Sequence, residues 1–190
     1  MAVKSIMIVG VGGQGTLLAS RLLGSALIDS GYEVKVSEIH GMSQRGGSVV
    51  TYVKYGDEVF SPTIEQGEAD IILAFEKLEA ARWLSFLKPD GKLVVNDQCI
   101  DPMPVITGAA EYPKALEKKL AALPIRLDAM DALGLALRAG SARAVNLVLL
   151  GRLSRYFHFT DEQWQDAIEK SVPAKFLELN KKAFALGAEA

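Results

Sequence analysis

The chain has 190 residues, 49% of them apolar and 23% charged, which suits one folded globular domain and excludes a largely disordered chain. Lys and Arg number 21 against 23 Asp and Glu, a net charge of −2, so no basic excess exists to neutralise a nucleic-acid backbone. The single cysteine, Cys99, excludes an internal disulfide and a four-cysteine zinc or iron–sulfur site within the chain. In chain order, residues 5–9 (SIMIV) are a β-branched apolar run, the pattern of a buried parallel strand. The run is too short for a signal-peptide core, and no stretch reaches the length of a membrane span, so the expectation is a cytoplasmic chain with no membrane segment. Residues 16–30 carry helical spacing at Leu18, Leu22, Leu23, Ala26 and Leu27, stopped by Gly31. Residues 33–39 read as a second strand, which predicts a strand–helix–strand unit with a right-handed crossover and a parallel pair.

Residues 41–47 (GMSQRGG) form a loop of small and polar residues. Residues 48–55 are strand-like, and Gly56-Asp57 signals a turn from which residues 58–60 return as a short antiparallel strand. Residues 70–75 and 92–96 read as buried strands on either side of an amphipathic helix over 77–87. Residues 101–113 hold three prolines and read as a surface connection, with a short strand at Val105-Ile106. A helix over 114–123 and a last strand over 124–127 follow. The remainder is helical: 131–139, 143–157, 161–171 with a capping box at Thr160 and Gln163, and 174–186. The fold class expected is α/β, Rossmann-like: a mostly parallel twisted sheet with helices on both faces, an antiparallel hairpin at the edge and a helical C-terminal part. It is expected to be one domain, 1–190.

Gly10 to Gly15 read GVGGQG, a G-x-G-x-x-G placed between a predicted strand and a predicted helix. Gly10 permits a tight turn, Gly12 close backbone approach, and Gly15 close packing of helix on strand. Free N–H groups at the helix start favour a phosphate, and the Thr16 hydroxyl adds a contact. The adjacent Gly13 and the polar Gln14 exceed what a turn needs merely to fold. A nicotinamide dinucleotide would want an acid for its ribose, and Glu38, 23 residues past Gly15, is the candidate. His40 lies beside the second loop and stays open as a catalytic group, whereas His158 reads as structural. In that second loop Arg45 is flanked by Gln44 and by Gly46-Gly47; an arginine in a glycine-rich loop can pair with a phosphate or a carboxylate.

Together GVGGQG and EIHGMSQRGGSVV resemble the gamma subunit, or gamma domain, of 2-oxoacid:ferredoxin oxidoreductases. The HGMSQRGG form is most similar to the corresponding subunit of the indolepyruvate-type enzymes, and residues 146–151 (NLVLLG) resemble the family's N-x-x-x-L-G helix segment. The resemblance implies a part of a complex that oxidatively decarboxylates a 2-oxoacid, with the loop favouring an arylpyruvate such as indolepyruvate, attaches the acyl group to coenzyme A and passes electrons to ferredoxin. Thiamine diphosphate, magnesium and iron–sulfur clusters are implied on partner subunits, with coenzyme A as cosubstrate and no cofactor bound by this chain alone. The expected coenzyme-binding set is Gly10, Gly12, Gly13, Gln14, Gly15, Thr16, Gln44, Arg45, Gly46 and Gly47, with no catalytic residue and no metal ligand in this chain.

Three residues carry plainer readings. Cys99, past a strand end, is read as packing. Asn146 is read as capping a neighbouring loop, because an amide in an apolar helix needs a local partner. Trp164, Phe176 and Phe184 are read either as core or as subunit interface. Without the resemblance, a stand-alone NAD-dependent dehydrogenase and a nucleotide-sensing module remain open, as does a homodimer of the isolated chain. The two glycine loops are expected side by side, at the strand ends that hold Gly10 and Gly41; on opposite edges they could not form one site.

Overall fold

The computed structural model describes residues 2–40 and 46–190. Six strands form one mixed sheet, β1 (Lys4–Val11), β2 (Glu33–His40), β3 (Ser48–Gly56), β4 (Ala69–Ala74), β5 (Leu87–Asn96) and β6 (Arg126–Met130), in the order β2-β3-β1-β4-β5-β6. β1, β4, β5 and β6 run parallel, and β3 is antiparallel to both β1 and β2. Alternation along the strands divides the core. Ile6, Ile8, Val53, Ile71, Leu73 and Val94 face one side, while Met7, Val9, Val50, Ile72, Leu93 and Val95 face the other.

The first side is covered by α1 (Thr16–Asp29) and by four later helices: α5 (Ala132–Ala139), α6 (Val145–Ser154), α7 (Asp161–Ser171) and α8 (Leu177–Glu189). The second side is covered by α2 (Lys77–Trp83) and α4 (Leu116–Ala121), with the short turn α3 (Met103–Ile106) beyond β5. The helical C-terminal part and the helices on both faces are as the sequence predicts. The α7 capping box forms, Thr160 Oγ1 accepting from Gln163 N at 3.3 Å and Gln163 Oε1 from Thr160 N at 2.8 Å. Trp164 and Phe184 are core residues, 2% and 5% exposed, while Phe176 remains open at 46%. Among the described residues no helix is long and apolar enough to cross a membrane.

Three local expectations are corrected. β1 and β2 point the same way but are not a pair, because β3 inserts between them. The antiparallel pair at that edge of the sheet is β2–β3, not a hairpin closed at Gly56-Asp57. Residues 58–60 form no strand: β3 is already paired on both edges, so a returning segment finds no free ladder, and Val59 N donates instead to Glu33 Oε2 at 3.0 Å. Val105 and Ile106 lie in the α3 turn, because Pro102 and Pro104 favour a helix start over a strand.

Candidate functional site

β1 leads into α1 on one side of the sheet, and its parallel neighbour β4 leads into α2 on the other. That divergence is the switch point where doubly wound folds open a crevice beyond the strand ends. In this chain its own amides occupy the crevice. Gln14 Oε1 accepts from Val11 N at 2.8 Å, and Gln14 Nε2 donates to Phe75 O at 3.1 Å. Asn96, fully buried, donates to Phe75 O at 3.2 Å and to Gln98 Oε1 at 2.9 Å, and accepts from Ala132 N at 3.1 Å. Gln98 Oε1 in turn faces Gln14 Nε2 at 3.5 Å. The amide network ties the ends of β1, β4, β5 and β6 together and fixes the turn that follows β1.

That turn explains its glycines. A Cβ on Gly10 would come within 2.9 Å of Phe75 Cβ and 3.0 Å of Gln14 Oε1. Gly13 and Gly15 have φ of +104° and +88°, a region that favours glycine. Gly15 is the N-cap of α1 and offers no side-chain cap, and the first turn holds no acid. Among the described residues no side chain caps the N–H groups there, the kind of helix start that favours an anion. Asn146, buried in α6, packs on Gly15 and donates to its carbonyl at 3.5 Å. Its amide therefore serves a neighbouring loop, and the loop is the glycine turn itself.

The two glycine loops meet. Gly12 N donates to Gly47 O at 2.8 Å, and Gly46 N donates to Gly12 O at 3.2 Å, directly beyond the β1–β3 ladder that ends at Val11 and Ser48. Gly41, Gln44 and Arg45 lie outside the described residues. On the α1 side the joined loops border an open cleft of about 420 Å³, lined by Gly12, Gly13, Gly15, Thr16, Leu17, Glu38 and Val49. Thr16 is buried at its edge and Glu38 is exposed at its mouth. Of the expected residues, the structure thus brings Gly12, Gly13, Gly15 and Thr16 to one cleft and Gly46 and Gly47 against it. Gly10 and Gln14 sit beneath, with both polar ends of Gln14 bonded within the chain.

The sequence reading missed Asn96, Gln98 and Glu76. Asn96 could have been noticed as an amide closing a buried apolar strand (KLVVN). Glu76 is 1% exposed at the α2 N-cap, where it accepts from Glu79 N at 2.9 Å, from Ile100 N at 3.2 Å and from the Tyr112 hydroxyl. Burial, and then the Glu76 hydrogen bond, pushes the Tyr112 phenol well above its ordinary value. Among the described residues no three His, Cys, Asp or Glu side chains gather as a metal site.

Residues 5–190 match the pyruvate ferredoxin/flavodoxin oxidoreductase family. The chain belongs to that family. It is 44% identical to the indolepyruvate oxidoreductase subunit IorB of Thermococcus kodakarensis, over 98% of this chain and 95% of the relative. Its fold matches the crystal structure of the keto/oxoacid ferredoxin oxidoreductase gamma subunit from Geobacter sulfurreducens, with a TM-score of 0.73 and 25% identity over 98% and 96% of the two chains. The same fold occurs within the 2-oxoglutarate:ferredoxin oxidoreductase of Magnetococcus marinus, solved with 2-oxoglutarate, coenzyme A and succinyl-CoA. There the TM-score is 0.75 at 21% identity, and the match covers 100% of this chain and 31% of that one. The sequence resemblance and the expected fold class are both borne out.

Proposed function

We propose that the chain is the gamma-type subunit of a cytoplasmic 2-oxoacid:ferredoxin oxidoreductase acting on an arylpyruvate such as indolepyruvate, and that it holds coenzyme A. The observation that supports this reading is the pair of hydrogen bonds joining Gly12 to Gly46 and Gly47, which brings the two glycine loops together beside the start of α1. Thiamine diphosphate with magnesium, and iron–sulfur clusters, sit on partner subunits, where they supply the decarboxylation of the oxoacid and the passage of electrons to ferredoxin. With one cysteine this chain has no ligand set for a cluster.

The chain's own contribution is binding and orientation. The N–H groups at the start of α1 receive a coenzyme phosphate, and the amide network beneath holds them in place before the ligand arrives. Arg45, next in sequence to Gly46, pairs with a second anionic group, either a coenzyme phosphate or the oxoacid carboxylate, and Gln44 orients the bound chain. No proton or electron need pass through these residues, because the cofactors carry the chemistry. Glu38 at the cleft mouth keeps a second reading in view, a nucleotide whose ribose hydroxyls it accepts; titration with NAD tests it directly.

The decisive experiment is steady-state kinetics of the assembled complex carrying Arg45→Ala. The KM for coenzyme A or for the oxoacid should rise about tenfold, the loss of one charge-assisted pair. Kinetics equal to wild type in both substrates would overturn the assignment of Arg45, and absence of any thiamine-bearing partner would overturn the subunit reading.

A further inference from the structure

A groove of about 580 Å³ follows the flank of α1 from Leu17 to Ile28, a size that suits a small-molecule site. Leu17, Arg21 and Ile28 line one wall, because residues four and seven apart fall on one face of a helix. Val36 and Glu38 line the other, two apart on β2 and so on one face of the strand. Leu17 and Glu38 also line the cleft that holds Gly12, Gly13 and Thr16, so the groove adjoins the glycine turn.

The chemistry of the groove changes along its length. Its far part is apolar and open, with Ile28 and Val36 60% and 48% exposed. Thr51 lies on its floor, fully buried, and its Oγ1 has no hydrogen-bond partner among the described residues. The charged residues of the lining are Arg21 and Glu38. Arg21 is exposed, and its guanidinium makes no ion pair or hydrogen bond among the described residues, with Glu38 or any other group. An unpaired guanidinium in a groove that adjoins an anion-favouring helix start is a second anion point. Arg21 is five residues past Thr16, about 7.5 Å further along the helix axis. Glu38, which borders both cavities, disfavours an anion beside it and suits a neutral hydroxyl.

We infer that this groove takes the adenosine end of the coenzyme, with Arg21 holding the phosphate on its ribose and so selecting a ribose-phosphorylated nucleotide over a plain one. This rests on the coenzyme reading above and adds the residue that sets its specificity. The diphosphate stays at the glycine turn. The ribose spans the gap to Arg21, from the diphosphate on its 5′ oxygen to the phosphate on its 3′ oxygen, which a guanidinium can meet with paired hydrogen bonds. The purine lies between the apolar walls at Ile28 and Val36, and its polar edge over Thr51 supplies the partner that the buried hydroxyl lacks. Glu38 accepts from the ribose hydroxyl that carries no phosphate. Coenzyme A has the ribose phosphate and NAD does not, so Arg21 favours the former.

The test compares coenzyme A with 3′-dephospho-coenzyme A as cosubstrates of the assembled complex. The wild-type KM should be about tenfold lower for coenzyme A, the worth of one charge-assisted pair. Arg21→Gln keeps a good helix former at an exposed position. It should raise the KM for coenzyme A about tenfold, with no comparable rise for the dephospho form and no fall in kcat. Lys118→Gln serves as control, since it removes an exposed cation from α4 on the other side of the sheet and should leave the preference as it is. Equal KM for the two coenzymes in the wild type, or an Arg21→Gln loss shared equally by both, would overturn the inference while leaving the coenzyme reading intact. Turnover of the wild-type complex that does not depend on coenzyme A would overturn both. Dissociation of the complex by Arg21→Gln would assign the groove to a subunit contact and overturn the inference equally.

Discussion

Replacing Gly15 with Ala probes the geometry on which the site depends. Gly15 holds φ +88° at the head of α1, and a Cβ there would lie 2.7 Å from Asn146 Nδ2 and 3.2 Å from Asn146 Cγ. The left-handed backbone alone costs about 1–2 kcal/mol for an alanine. Crowding adds about 1 kcal/mol, the low end for overpacking, because the nearest atom is the tip of a side chain rather than backbone. The single variant should therefore lose about 2–3 kcal/mol. Asn146→Ala removes the obstructing amide together with hydrogen bonding worth about 1 kcal/mol. In that background Gly15→Ala should cost only the backbone part, leaving a coupling of about 1 kcal/mol. Urea unfolding of the four chains, followed by circular dichroism, yields every term of the cycle. Gly15→Ala should also raise the KM for coenzyme A in the assembled complex, since the turn can no longer present its N–H groups. A Gly15→Ala chain as stable as wild type, or an equal cost in both backgrounds, would refute the packing of Asn146 on this turn.

Three further outcomes follow from the same structure. Gly187→Ala should unfold α8 from α6, because the new Cβ would meet Val148 O at 1.9 Å, a backbone atom that cannot step aside; a loss of about 3 kcal/mol, or about 6–12 °C in Tm, is expected by scanning calorimetry. Thr51→Val should be neutral or raise Tm by a few degrees, since the buried Thr51 hydroxyl has no partner among the described residues and the isosteric methyl removes that penalty; a large loss would show that the hydroxyl is bonded. Burial pushes the Asp128 carboxyl up, but hydrogen bonds from Arg152, at 2.7 to 2.9 Å, and from the Tyr156 hydroxyl, at 2.6 Å, prevail and hold it below the usual carboxylate range. Its stabilisation is therefore present above about pH 4 and lost as pH falls through the lowered value, so Asp128→Asn should lower Tm at pH 7 and flatten the acid limb of the Tm profile.

Local patterning made most of the architecture readable. The apolar run before Gly10, the helical spacing behind Thr16 and the capping box at Thr160 each encode their element within a few residues. What stayed hidden was long-range. Nothing in residues 33–56 states that β3 enters between β1 and β2; the alternation of Val34 and Val36 suits a strand paired on either side. The turn at Gly56-Asp57 looked like a hairpin because composition cannot show that both edges of β3 are already taken. Two prolines near Val105 made helical what β-branching alone would make a strand. At the site, the glycines announced a phosphate turn, but Gln14 is a case of right location and different work: its amide closes the crevice with Asn96 and Gln98, residues 82 and 84 positions away in sequence. Glu76 was silent in sequence for the same reason, its three donors coming from Glu79, Ile100 and Tyr112.

Hydrogen–deuterium exchange of the assembled complex, with and without coenzyme A, tests the central claim most directly. Coenzyme A should slow exchange in peptides spanning residues 10–17 and 41–48, and Arg45→Ala should reduce that protection at the same coenzyme concentration. Protection confined to the partner subunits, with both glycine loops unchanged, would contradict the assignment of the coenzyme site to this chain.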